Sequence, residues 1–188
     1  MHVRNSSKSY GSVAIAMHWA VVVLVLAAAL TGLFGEDLPR GATREAGLFA
    51  HISFGIAILS FAIARLLWRL ADPPPAPIDT PLGPWGELAG QVAHYAIYAL
   101  LIAIPVAGIM LQFARGEPLP VFGLFDIASP WTADRAFAHD VKEVHEALAN
   151  ALLALVGLHA AAALVHHYVF HDRTLLRMLP RLHARARV

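Results

Sequence analysis

The chain has 188 residues, of which 58% are hydrophobic and only 14% charged, with no cysteine and a formal net charge of +1. Its mean hydropathy is +0.60, a balance that excludes an ordinary water-soluble domain. Without cysteine there is no disulfide framework, no thiolate metal site and no CxxCH attachment for covalent c-type haem.

The few charges are unevenly spread. None falls in Ser9–Gly35, Ala46–Ala64, Leu88–Ala114 or Ala147–His171, stretches of 27, 19, 27 and 25 residues. A helix needs about 20 apolar residues to cross the hydrocarbon core, so the sequence predicts four transmembrane helices, near residues 12–34, 46–69, 87–113 and 140–170. The fold class expected is an all-α integral membrane protein, a four-transmembrane-helix bundle forming one domain over residues 1–188. The first span follows Arg4 and Lys8 as a signal peptide would. It is too long for a signal h-region, is interrupted by His18 and Trp19, and is followed by three more spans.

Between the spans, residues 35–45 form a short loop, and residues 72–84, with their PPPAP run, form a stiff connector. In the third span, Pro105 followed by Gly108 predicts a kink. The segment from Gly116 to His139 is long and partly apolar (PVFGLF, Trp131, Phe137), as expected of a lid or packing segment at the membrane interface. There is no internal sequence repeat.

With four spans both termini share one side. That side carries Arg4, Lys8, Arg65, Arg69, Arg173, Arg177, Arg181, Arg185 and Arg187 against four acids, a formal +5; the other carries Arg40, Arg44, Arg115, Arg135 and Lys142 against nine acids, a formal −4. The positive-inside rule places both termini in the cytoplasm. The Arg-rich tail reads as a topology anchor at anionic lipid rather than a nucleic-acid patch, so no nucleic-acid partner is expected.

Four histidines interrupt this apolar frame. Counted inward from the terminal side, His18 is the tenth residue of its uncharged stretch and His159 the thirteenth. At about 1.5 Å per residue their depths differ by roughly 4–5 Å. From the opposite side, His51 is the sixth residue of its stretch, and His145 lies two residues before the fourth stretch begins. Depth therefore pairs His18 with His159 on the inner side and His51 with His145 on the outer side. His145 and His159 are 14 residues apart, close to four turns, so they share one helix face about 21 Å apart. The two sites are stacked across the membrane.

Paired imidazoles at one depth suit a b-type haem, which needs only two axial ligands from the protein, whereas zinc takes four. Bis-histidine coordination leaves no open position and favours electron transfer. The small residues Gly32, Gly55, Gly108 and Gly157 allow close approach of helices and of a flat ring.

The stretches IAMHW, AHISFGI with RLLWRL, ARGEPLPVFGL, KEVHEALAN, and GLHAAAALVHHY followed by DRTLLRMLP resemble the bacterial cytochrome b561 family over almost the whole chain. The resemblance implies a four-helix, di-haem inner-membrane cytochrome b with His18, His51, His145 and His159 as axial ligands. It also implies an oxidoreductase similar to members that pass electrons from superoxide outside to ubiquinone in the membrane.

On that reading Arg115, Arg135 and Lys142, near the outer haem, attract superoxide or neutralise haem propionates. On the inner side, His166 lies seven residues after His159 on the same face, and His94 lies at matching depth. With Gln91 and His167 they form the expected surroundings of a quinone headgroup, where imidazole supplies protons and hydrogen bonds. His94 is also a second candidate for the ligand opposite His159. The partners expected are ubiquinone, superoxide and the lipid bilayer, with the protein monomeric. Competing readings are an electron-transfer subunit of a larger respiratory complex, such as a hydrogenase or formate dehydrogenase, and a haem-free membrane packing or transport protein.

Overall fold

The structure is a computed structural model and describes residues 2–7, 9–78 and 81–180. Lys8, Asp79, Arg181, Arg185 and Arg187, counted in the charge asymmetry, lie outside the described residues. Four long helices dominate: α1 (Ser12–Phe34), α2 (Ala42–Ala71), α3 (Gly83–Ala114) and α4 (Arg135–Tyr168). Each is long and apolar enough to span a membrane, so the expected class is observed.

The first helix has the expected bounds, while α2 begins four residues earlier and ends two later, and α3 begins four earlier and ends one later. The fourth begins five residues early, at Arg135, and ends two residues early, at Tyr168. The charges at Arg44, Glu45, Glu87, Asp140, Lys142, Glu143 and Glu146 stop the hydrophobic stretch but not the helix. At 34 residues α4 is about 51 Å long, so its ends project beyond a core of about 30 Å.

Sequence punctuation sets the ends. Asp134 caps α4 by accepting a hydrogen bond from Phe137 N at 3.0 Å, and Pro84 stands in the first turn of α3, where its missing N–H costs nothing. Helix α3 continues through Pro105, which has no N–H to offer the carbonyl of Leu101.

Neighbouring helices pack in chain order. The α1–α2 and α3–α4 pairs are the most intimate and α2–α3 joins them; α1 and α4 make no comparably close pairing among the described residues. Every helix contributes to a mid-bundle core of Val21, Val25, Ile58, Ala62, Leu101 and Leu152. Outward-facing Val23, Leu26, Leu30, Leu67, Val92 and Leu158 remain exposed, as a lipid-facing surface requires.

Both terminal segments gather at one end. Asn5 N donates to Asp72 Oδ2 at 2.8 Å, tying the N-terminal segment to the end of α2. Trp19 Nε1 donates to Met178 O at 2.7 Å, tying α1 to the tail beyond α4. At the opposite end, the segment between α3 and α4 folds into a two-stranded antiparallel hairpin, β1 (Leu119–Val121) and β2 (Phe125–Ile127). Phe122 and Gly123 turn it at φ 53° and 70°, with Leu124 N donating to Val121 O at 3.0 Å, a type I′ turn. The first strand packs on α2 and α3. Asp134 N donates to Ala114 O at 2.9 Å and closes the excursion where it began.

Candidate cofactor site

Toward the hairpin end, the rings of His51 and His145 face each other with centroids 6.1 Å apart. Each is held by the helix preceding its own. His51 Nδ1 lies 2.9 Å from Ala28 O on α1, and His145 Nδ1 lies 3.0 Å from Ile104 O on α3. A carbonyl only accepts, so each Nδ1 carries a proton, and in the neutral ring this tautomer leaves the Nε2 lone pair for a metal. A hydrogen bond that fixes tautomer and ring orientation in this way is the usual support of a metal-ligating histidine.

Four residues beyond each accepting carbonyl stands a glycine. A Cβ on Gly32 would lie 2.9 Å from His51 Cε1, and one on Gly108 would lie 3.2 Å from His145 Cε1. The α1–α2 and α3–α4 pairs thus use the same device, a carbonyl and a glycine one turn apart, to seat an imidazole. Thr31 Oγ1 adds a longer contact of 3.4 Å to His51 Nδ1.

Fourteen residues from each member of this layer, on the same helix, lies a member of a second: His18 from Gly32, Arg65 from His51, His94 from Gly108 and His159 from His145. His94 and His159 are in ring contact, with centroids 5.1 Å apart. His18 lies within electrostatic range of both and packs its ring edge-on against Trp19 at 5.6 Å. The inner cluster therefore holds three histidines. The direct ring contact is His94–His159, whereas depth alone selected His18 for His159. The apolar mid-bundle core separates the two layers.

Do these residues fit a haem? Imidazoles of this tautomer have the right donor chemistry, and a Cβ on Gly55, one turn beyond His51, would meet nothing within 4 Å. The indole Nε1 of Trp68 is buried without an acceptor, as expected where an acceptor-bearing group belongs. No group of three or more His, Cys, Asp or Glu positioned for a metal ion occurs among the described residues, so the set suits a cofactor bringing its own equatorial ligands better than a bare ion.

The remaining candidates are dispersed. Lys142 pairs with Glu146 at 3.4 Å, one turn along α4. Arg115 ends α3 and Arg135 begins α4, both exposed. Gln91 is exposed and donates to Glu87 at 3.1 Å, and His167 packs against Tyr168. His166 Nδ1 lies 2.5 Å from Asp172 Oδ2. Burial works to raise the Asp172 carboxyl, but hydrogen bonds from His166 and Thr174 outweigh it and hold the group below its ordinary value. Asp172 also lines a cavity of about 550 Å³ at the terminal end, with Tyr10, Ile15, Arg173 and Leu176. Sequence reasoning missed Arg65, Trp68 and Asp172; the 14-residue interval from His51 was the available signal for Arg65.

The family model for prokaryotic cytochrome b561 matches residues 9–181. The chain belongs to the prokaryotic cytochrome b561 family. A Yersinia pestis protein named probable superoxide oxidase CybB is 37% identical over 174 residues, covering 93% of this chain and 97% of that one. Cytochrome b561 homolog 2 of Escherichia coli is 34% identical, with 95% of each chain covered, and homolog 1 is 32% identical over 89% of this chain and 94% of its own. As a cytochrome b561, this chain is a multi-pass membrane protein of electron transfer, and the family implies b-type haem.

Proposed function

We propose that this cytochrome b561 is a superoxide:ubiquinone oxidoreductase of the bacterial inner membrane. On this reading both termini are cytoplasmic, and the two histidine layers would each hold one haem b. His51 and His145 would hold the outer haem, His18 and His159 the inner. When bound, each haem supplies a one-electron couple, and bis-histidine coordination suits it to transfer rather than to binding oxygen. The observation that carries this reading is the outer layer, where two imidazoles face each other at 6.1 Å, each held through Nδ1 by a neighbouring helix.

Two superoxide anions give up one electron each at the hairpin end and leave as dioxygen. Ubiquinone takes both electrons with two protons from the terminal side. Electrons moving inward work against an inside-negative potential at about 2.3 kcal/mol per 100 mV, which a strongly reducing donor such as superoxide can overcome more readily than a mild one. Arg115 and Arg135 provide most of the local attraction for the anion, because Glu146 offsets Lys142.

At the terminal end the cavity lined by Asp172 receives the quinone headgroup. His166, oriented by Asp172, is the proton-bearing group of this site, and His94, Gln91 and His167, which do not line the cavity, are its further candidates. All four axial histidines come from one chain, so a monomer suffices. One observation favours a variant of the inner site. His94 makes the direct ring contact with His159, which makes it the competing inner ligand, in which case His18 would not ligate.

Stopped-flow mixing of superoxide with the quinone-loaded protein tests the proposal. Wild type should show haem reduction followed by quinol formation, and H145A should lose both. Haem that superoxide leaves oxidised, or an H145A variant as fast as wild type, contradicts it.

A further inference from the structure

The inner layer departs from the outer at one corner. Where four-turn spacing from His51 would place a fourth inner histidine, α2 carries Arg65, which lies within electrostatic range of His18, His94 and His159. Its guanidinium sits 5.5 Å over the ring of Tyr98. Arg69, one turn on, lies within range of His94. Trp68 between them buries an indole N–H with no acceptor. Residues 65, 68 and 69 fall within about 100° of the helix circumference.

These three side chains are all donors. Lys142 pairs with Glu146 and His166 shares a hydrogen bond with Asp172, and the uncharged stretches of the spans contain no Asp or Glu to answer Arg65. A cation and an indole N–H facing the interior of a membrane bundle, with no acceptor among the described residues, are costly unless an anion from outside the chain meets them.

We propose that Arg65, Trp68 and Arg69 form the binding site for the propionate carboxylates of the inner haem. The proposal rests on the reading of the inner histidines as axial ligands. A carboxylate accepts from the planar guanidinium fork and from a single indole donor, which is the set this face presents. The outer layer has Gly32 and Gly108 at its non-histidine corners, so no cation stands there at a position matching Arg65. Positive charge in a low-dielectric site stabilises the reduced, more negative haem, so the inner haem takes the higher potential and electrons run downhill from the outer layer to the inner.

The test is a redox titration of the purified holoprotein, with infrared difference spectra of the propionate bands, on R65Q, R65K and W68F. R65Q should keep both haems and make reduction of the inner one about tenfold less favourable, about 59 mV for a one-electron couple, with shifted propionate bands and an unmoved outer haem. R65K keeps the charge but not the fork, and should hold the potential near wild type while shifting the bands. W68F should shift the bands alone, and decides the matter if R65Q fails to assemble. Potentials and bands unchanged in all three variants overturn the proposal, as does a rise in quinone KM with both unchanged, which would assign the cluster to quinone. Failure of the underlying ligand reading is separately visible: H159A would then retain the inner haem spectrum.

Discussion

The imidazole of His51 rests so closely on Gly32 that a Cβ there would stand 2.9 Å from its Cε1, while Nδ1 of the same ring is held by Ala28 O one turn earlier. Gly108 and Ile104 do the same for His145, with a looser approach of 3.2 Å. Gly32→Ala must therefore displace the ring or the helix, at the roughly 1–3 kcal/mol typical of overpacking. It should lower outer haem occupancy more than Gly108→Ala does, as measured by haem per chain in purified protein.

The ligands should separate by layer. His51→Ala and His145→Ala should each remove one haem and leave the inner spectrum intact. His159→Ala should remove the other. Comparing His18→Ala with His94→Ala by low-temperature optical and EPR spectra then identifies the ligand opposite His159: its loss abolishes the inner low-spin signal, and loss of the bystander only perturbs it.

The tail beyond α4 should respond to acid. Burial works against ionisation of Asp172, yet hydrogen bonds from His166 and Thr174 hold its carboxyl below the ordinary value of 3.8. A carboxylate depressed in this way stabilises the folded tail fully above that ordinary value and loses the contribution as pH falls through the depressed one. The tail should stay docked from neutral pH down to about 3.8 and loosen below, as followed by hydrogen exchange or limited proteolysis. Asp172→Asn should remove this acid step.

The hairpin turn carries its own test. Gly123 has φ 70°, and a Cβ there would touch Phe49 at 3.4 Å. Gly123→Val should cost about 1–2 kcal/mol through the left-handed backbone alone. Thermal unfolding in detergent should show the loss, with haem content unchanged.

Much of this architecture was legible in the residues. Four uncharged stretches gave four helices, because a membrane admits little else, and charges marked the hydrophobic limits rather than the helix ends, which is why α4 begins before residue 140. The outer pair followed from depth, since His51 and His145 sit near matching ends of their spans. The inner layer was harder. Depth counting ranks partners along one axis and is blind to rotation about it, so it put His94 second to His18 opposite His159, whereas the ring contact is with His94. The hairpin was hidden because its strands have three residues each, one of them Pro120, and its turn is Phe-Gly rather than Asn-Gly. Trp68 and Asp172 became visible only through a missing acceptor and a tail folded back on the bundle, neither of which has a local sequence period.

The most direct measurement of the central claim is the haem count per chain, by the pyridine haemochrome of purified protein, in wild type and His145→Ala. Two stacked bis-histidine sites predict two haems b in wild type and one in the variant, with the remaining haem still low-spin. A wild-type count of one or none, or a variant that keeps both, would contradict it.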